Sequence, residues 1–493
     1  MPRPWPSLAF LAALAGPAAA ADAPTLYVTH CASCHGADRL GAIGPALLPE
    51  SLGRLKPEAA AAVIRDGRAA TQMPGFSGTL TEADIAALAG LIATPLAAPP
   101  RWGAAEIAAS RTILIPPETL PDRPQWQADP LDLFVVVEAG DHHVTILDGD
   151  RFEPLARFPS RFALHGGPKF SPDGRFVTFM SRDGWVTRYD LWSLQPVAEV
   201  RAGINSRNIA LSGDGRVVAV ANYLPPTLVL LDAASLAPLE VKQVDDASHH
   251  AASRVSAVYQ AAPRGSFVLA LKDLPEIWEI GYGAGGFPVR RTALKEPLDD
   301  FFFDPSYAHL IGSSRDGGRG VVVDLDAGRE VAELPLPGLP HLGSGIAFDL
   351  AGRPVVATPH LKEAALSVID LKDWTVVKRV PTLGPGFFMR GHEASPYAWI
   401  DVSLGPEKDK LQILDERSLE IVRTLQPSPG KTTGHAEFSR DGRYALVSVS
   451  EPDGELVVYD AASFEVIKRL PMNKPVGKYN VGNKIGRSEG TSH

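Results

Sequence analysis

The sequence predicts two folds in one chain, a small all-α domain followed by an all-β eight-bladed propeller. Three observations point there. Apolar residues recur at helical spacing only within the first hundred or so positions. Prolines then cluster at Pro95, Pro99-Pro100, Pro116-Pro117, Pro121 and Pro124. From residue 131 onward a strand-rich unit recurs about eight times, with a period of about 40 to 50 residues, the signature of a propeller.

The 493 residues exceed one ordinary domain, and a hydrophobic content of 45 % is ample for real cores. The net charge of -9 argues against a nucleic-acid protein. Residues 1–20 read as a secretory signal: Arg3 is the only charged side chain, Leu8 to Leu14 are apolar, and Ala18 to Ala21 supply small residues for cleavage. An uncut N-terminal anchor is the alternative, and either reading places the mature chain outside the cytoplasm. No later segment is apolar enough to span a bilayer.

The all-α domain is expected over residues 22–97. Cys31-Ala32-Ser33-Cys34-His35 is a C-x-x-C-H motif, the attachment site of a c-type haem. Two thiols add to the haem vinyl groups, and the histidine ligates the iron. The chain has only two cysteines, so none remains for a disulfide. Thr25 to His35 can form the helix that carries the motif. Lys56-Pro57-Glu58 opens a second helix running to Gly67. Thr81-Glu82-Ala83-Asp84 is a capping box ahead of Ile85, Leu88, Leu91 and Ile92, which share one helical face. This arrangement resembles small cytochromes c, which place a methionine in the loop before the last helix. Met73 is therefore the expected sixth iron ligand, with core packing as its alternative role. His30 is the rival ligand, disfavoured because it adjoins Cys31. Haem c attachment of this kind indicates a bacterial periplasm. The Pro-rich stretch 98–130 reads as a stiff, extended linker.

Within 131–493, turns of the type Ser-x-Asp-Gly-Arg recur, as at Ser171 to Arg175, Ser212 to Arg216 and Ser439 to Arg443. Each precedes an apolar strand, and a further strand ending in Asp follows, as at Asp190, Asp232, Asp370 and Asp460. Asp-Gly turns join adjacent antiparallel strands. Propellers bind ligands over the central channel, where loops from all blades converge.

Thirteen histidines are present. His142, His143, His249 and His250 read as solvated loop residues, and His309, His360 and His392 as packing or turn residues. His165, His341 and His435 all stand at the entry to an innermost strand, on one face near the axis. Three histidines there suit metal ligation or proton transfer. Arg182, Arg207 and Arg254, with Tyr223, are candidates for the same face. Arginine binds carboxylates bidentately, so an acidic ligand would suit it.

Leu164-His165, Ser181-Arg182-Asp183-Gly184, Ser206-Arg207-Asn208-Ile209, Asn222-Tyr223-Leu224-Pro225-Pro226 and the tail Pro475 to Val481 carry a resemblance to cytochrome cd1 nitrite reductase over nearly all of the mature chain. In that family the propeller holds haem d1 over its channel. The match implies His165 as the proximal iron ligand, with Arg182, Arg207, Tyr223 and Arg254 lining the pocket for the acidic side chains. Two departures follow. The reductase has two distal histidines; His341 matches one, and Asp299 stands near the place of the other. Ser344 replaces the reductase's arginine, and His435, in Gly434-His435-Ala436-Glu437-Phe438, has no counterpart. That element instead resembles the reductase's relatives in haem d1 biosynthesis.

The branch of those relatives with its own cytochrome c domain dehydrogenates dihydro-haem d1, converting a propionate to an acrylate. The resemblance implies that activity here, an oxidoreductase acting on a CH–CH group. Two electrons and two protons must leave. No flavin or nicotinamide fingerprint is present, since Gly281 to Gly286 lie outside any strand–turn–helix context. Electrons would leave singly through haem c to an external acceptor. His341 is the candidate base, and His165 and His435 are candidate ligands of the tetrapyrrole iron. The roles of His341 and His435 are exchangeable, so both are candidate catalytic residues. Transient contact with the nitrite reductase and other haem d1 biosynthesis proteins is implied. A nitrite reductase with an altered distal pocket, or a haem d1 carrier, is the alternative.

Overall fold

The computed structural model describes residues 22–486, apart from positions 54, 69–72, 284 and 315–317. The expected signal segment 1–20 and the terminal His493 lie outside the described residues. The chain divides after Leu96 into two units. Among the described residues, no helix is long and apolar enough to cross a membrane.

The first unit consists of α1 (Ala23–His30), α2 (Ala32–His35), α3 (Pro49–Leu52), α4 (Pro57–Asp66) and α5 (Glu82–Ile92). The single helix expected over 25–35 breaks at Cys31, where φ widens to -117°. α4 stops at Gly67, which turns into the left-handed region at φ 76°. The N-terminus of α5 carries the expected capping box: Thr81 accepts from the Asp84 amide, and Asp84 accepts from the Thr81 amide. Ile85, Leu88 and Ile92 of α5 then meet Leu26, Tyr27 and Ile64 in one core.

The second unit contains eight antiparallel sheets, seven of four strands and one of five. The recurring turn has a physical basis. Gly174, Gly215 and Gly442 adopt φ of 72–75°, which a side chain would strain. The serine three residues earlier accepts the amide that restarts the chain, as Ser171 does from Phe176 and Ser439 from Tyr444, both at 2.9 Å. The aspartate ending each third strand organises the next turn. Asp460 accepts the amides of Ala462 and Ser463, Asp370 those of Lys372 and Asp373, and Asp324 those of Asp326 and Ala327. These contacts are sequence-local, so the motif repeats visibly.

Closure of the ring is not local. The last strand, Pro475–Asn480, pairs with Leu133–Glu138, setting Phe134 opposite Asn480 and Val136 opposite Lys478. The chain's tail thus supplies the innermost strand of blade 1, and Leu133–Glu138 is its second strand. Blades 2 to 8 follow in chain order, with innermost strands opening at Lys169, Asn205, Val255, Asp300, Ile346, Met389 and Thr433.

The stretch 98–130 departs from the expectation of an extended connector. It holds α6 (Ala104–Ser110) and a short strand, Thr112–Ile113, added to the outer edge of blade 2. Trp102 Nε1 donates to Arg201 O at 2.8 Å, Trp126 Nε1 donates to Leu191 O at 2.7 Å, and Ile107 is fully buried. The prolines keep the segment extended, but these apolar anchors glue it to the propeller.

Candidate functional site

In the first unit the two thiols of the C-x-x-C-H motif are unpaired and half-buried. His35 is buried, and its Nδ1 lies 2.8 Å from Pro45 O. A carbonyl only accepts, so Nδ1 carries the proton and Nε2 is the donor nitrogen for a metal. Gly44 passes under the ring so closely that a Cβ would meet the imidazole at 2.7 Å. The residues therefore fit a covalently held c-type haem: reduced thiols, and an oriented imidazole of the correct tautomer. Met73 is half-buried in a loop whose backbone is fixed, its carbonyl accepting from Arg68 N at 3.0 Å. His30 packs edge-on to Phe76, ring centroids 6.0 Å apart.

In the propeller the innermost strands run in one direction about the axis, so the residues at their beginnings share one mouth. Every blade contributes there. Blade 2 brings His165 and Arg182. His165 Nδ1 lies 2.8 Å from Arg207 O, and its Nε2 lies 3.0 Å from Arg182 Nη2 and 2.7 Å from Arg207 Nη1. His165 thus donates from Nδ1 and offers the Nε2 lone pair to two guanidinium groups, the nitrogen that a metal would take. Blade 3 brings Arg207, the extra residue of a β-bulge, since Asn208 pairs with Ala221 and Ser206 with Asn222. A bulge re-aims a side chain toward a site.

Tyr223 and Arg254 form a second group. The Arg254 guanidinium lies 5.4 Å from the Tyr223 ring and makes a bidentate pair with Asp273, at 2.9 and 2.6 Å. Lys272, beside them, pairs with Asp299 at 2.8 Å. The position aligned with the reductase's second distal histidine is therefore an acid neutralised by a neighbouring blade. Asp300, next to it, accepts from Tyr259 Oη at 2.7 Å and from Gly343 N at 2.6 Å.

His341 is clamped by its surroundings. Nδ1 lies 2.6 Å from Phe387 O and 2.9 Å from Ser344 Oγ, and Nε2 lies 4.0 Å from Asp300 Oδ2. Ser344, which stands where the reductase has arginine, thus anchors the histidine. Its Oγ also donates to Phe387 O at 2.5 Å.

His435 lies within the innermost strand Thr433–Phe438 rather than before it. It is the unpaired residue of a bulge, with φ of 50°. Its ring is 4.8 Å from Phe388 and 5.2 Å from Tyr479, while Phe388 is 5.8 Å from His341. Beneath it the fully buried Lys478 donates to the His435 carbonyl. Burial, then the charges of Lys478, Lys484 and Arg390, holds His435 well below the usual imidazole range. Asp401 fixes this side of the mouth by accepting from Phe387 N at 2.8 Å and Phe388 N at 3.0 Å.

The structure brings His165, Arg182 and Arg207 into one cluster and His341, Phe388, His435 and Tyr479 into one continuous wall. Tyr479 links the two, because a Cβ on Gly167 would touch its ring at 3.2 Å. Among the described residues, no three His, Cys, Asp or Glu side chains are grouped to hold a bare metal ion. The three histidines thus do not form a metal centre by themselves, and an iron here would bring its own ring of nitrogens. Tyr479, Phe388 and Asp300 are the residues that sequence reasoning left out of the site. The tail motif containing Tyr479 was the available signal, once the tail is seen to supply an innermost strand. The remaining histidines have local roles: His360 is fully buried between Pro337 O and Ser367 Oγ, and His392 packs on Phe438.

The family described as cytochrome D1 heme domain matches residues 128–484, and that described as cytochrome C oxidase, cbb3-type, subunit III matches residues 18–92. A dihydro-heme d1 dehydrogenase of Pseudomonas aeruginosa is 60% identical over 483 residues, covering 97% of each chain. A nitrite reductase of Stutzerimonas stutzeri is 24% identical, covering 93% of this chain and 92% of its own. The solved structure of the dihydro-heme d1 dehydrogenase NirN in complex with DHE superposes with a TM-score of 0.92 at 59% identity, covering 94% of this chain and all of that one. An N-terminal cytochrome c unit and an eight-bladed ring of this kind, with full-length likeness to such relatives, place the chain in the cytochrome d1 haem domain family.

Proposed function

We infer that this chain is a dihydro-haem d1 dehydrogenase, an oxidoreductase that completes haem d1. The reaction takes –CH2–CH2–COO⁻ to –CH=CH–COO⁻ and releases two protons and two electrons. The observation that carries the inference is the likeness over 97% of both chains to a dehydrogenase of that name, cytochrome c unit included. Haem c, held through Cys31, Cys34 and His35 with Met73 as sixth ligand, supplies one-electron transfer toward an external acceptor.

The propeller's residues divide the remaining work. His165 presents Nε2 to the tetrapyrrole iron, and Arg182 and Arg207 turn to its carboxylates. Arg254 and Tyr223 extend that acidic pocket. His341 is the base: the Phe387 carbonyl holds its Nδ1 proton, so a proton from the side chain goes to Nε2. His435 is the second ligand, which closes the iron to nitrite. An exchange of roles between His341 and His435 remains within this scheme. The Lys272–Asp299 pair supports the dehydrogenase over a reductase, because it leaves one distal histidine of the reductase pattern unreplaced. The protein works in the periplasm, exported by its N-terminal segment, and contacts the nitrite reductase and other haem d1 biosynthesis proteins transiently.

Anaerobic incubation with dihydro-haem d1, followed by mass spectrometry of the extracted tetrapyrrole, tests the function. Loss of two hydrogens with reduction of haem c is expected. An unchanged mass with a shifted ligand spectrum would indicate a carrier, and nitric oxide from nitrite would indicate a reductase.

A further inference from the structure

The ends of the innermost strands, opposite the histidine mouth, enclose a cavity of about 750 Å³. Leu211, Pro263, Phe303 and Asp349 stand around it at strand ends, whereas Arg207, His341 and His435 stand at or before strand beginnings. Asp300, bonded to Tyr259 Oη and Gly343 N, forms the layer between the two.

Two features define the cavity. Along one wall runs a ladder of rings: Tyr259 to Phe301 at 4.8 Å, Phe301 to Phe303 at 5.3 Å, and Phe303 to Tyr307 at 4.9 Å. Lys169 and Lys484 also line it. The acids in reach are already engaged. Glu437 accepts from Arg390 at 2.7 Å, Asp304 accepts from His309 N at 2.8 Å, and Asp349 accepts from Gly352 N at 2.7 Å. The lining thus combines a flat apolar wall with an excess of cationic groups. Burial pulls Lys169 down to about 8, and burial, then Arg390, depresses Lys484, with the Lys169 charge adding to it. Two ammonium groups that repel each other within the protein favour a bound anion.

We propose that this far-mouth cavity is a binding site for an aromatic carboxylate, its ring stacked on the Tyr259–Phe301–Phe303 wall and its carboxylate held by Lys169 and Lys484. The site is separate from the tetrapyrrole mouth and does not depend on the dehydrogenase assignment.

Isothermal titration of the full-length, haem c-loaded protein with 2-naphthoate tests it. One saturable site is expected. Lys169→Met and Lys484→Met should each weaken it at least tenfold, Lys484→Arg should retain it, and Ala347→Trp, which fills the cavity, should remove it. The same site should remain titratable after saturation with dihydro-haem d1. Absence of saturable heat would overturn the proposal, as would binding indifferent to both lysine variants. One-for-one displacement by dihydro-haem d1 would also overturn it, since the naphthoate would then occupy the histidine mouth. Circular dichroism and thermal midpoints separate a lost site from a lost fold, and Lys484→Arg keeps the test decisive if a methionine variant does not fold.

Discussion

The carbonyl of Phe387 lies 2.6 Å from Nδ1 of His341, and this contact decides which ring nitrogen can accept a proton. Phe387 is held in turn by the buried Asp401 carboxylate at 2.8 Å. The imidazole is therefore oriented by the backbone of another blade rather than by an adjacent acid. Replacing His341 with alanine should lower the rate of propionate dehydrogenation by about 100-fold or more, the usual worth of a positioned general base. Tetrapyrrole binding, followed by its absorption spectrum, should persist. Turnover near the wild-type rate would remove His341 from the role of base.

Arg182 and Arg207 converge on His165 Nε2, so a bound tetrapyrrole must draw both guanidinium groups away from it. Each should then pair with a carboxylate. Arg207→Ala should weaken dihydro-haem d1 binding by about 10- to 100-fold, corresponding to about 1.5–3 kcal/mol for a charged hydrogen bond. His165→Ala should instead alter the ligand field of the tetrapyrrole iron. Spectral titration distinguishes the two, since only the histidine variant changes the shape of the bound spectrum.

The repeating Asp turns predict acid sensitivity. The Ala327 amide holds Asp324 below the usual carboxylate range, and the Ser463 amide does the same for Asp460. Folded, these groups release protons more readily than in the unfolded chain. Their stabilisation is therefore present above the unfolded value of about 3.9 and is lost as pH falls through the lower folded values. The thermal midpoint should stay level from neutral pH to about 5 and drop below about 4. Asp460→Asn should start lower at neutral pH and drop less over the same window.

Met73 offers a test within the first unit. A thioether ligand raises the potential of a c-type haem relative to bis-histidine ligation. Met73→His should lower the midpoint potential in a spectroelectrochemical titration and slow electron acceptance from the propeller. Met73→Leu should open the iron to added imidazole or cyanide. An unchanged potential in both variants would assign the sixth ligand elsewhere, with His30 next to be tested.

What was legible in the sequence was local. Ser171-Pro172-Asp173-Gly174-Arg175 can be read as a turn because its partners lie within five residues. His165, His341 and His435 were legible through their phase in the repeat. Contacts between blades were not. Tyr479 reaches the site only because Pro475–Asn480 pairs with a strand about 340 residues earlier, and nothing near Tyr479 signals that partner. Asp300 and Phe388 owe their positions to Gly343 and Asp401 in other strands. The stretch 98–130 misled through composition: its prolines describe an extended chain, while Trp102, Ile107 and Trp126 decide where that chain lies.

Arg390 and Glu437 form a buried ion pair under the mouth, with side chains 5% and 1% exposed. Both nitrogens Nε and Nη2 of Arg390 donate to Glu437 Oε1, at 3.0 and 2.7 Å. Taking two charges out of water is costly, and mutual attraction roughly offsets the cost only while both remain. Arg390→Met should therefore destabilise the propeller by about 3–5 kcal/mol, because it strands the Glu437 charge. The double change Arg390→Met with Glu437→Leu should recover most of that loss in a denaturant titration. It should also shift His435, since Arg390 is one of the charges that depress its titration. Removing that cation raises the His435 pKa, whereas removing Glu437 alone lowers it further. The two single variants should move the pH profile of tetrapyrrole binding in opposite directions, and coincident profiles would show that the pair serves stability alone.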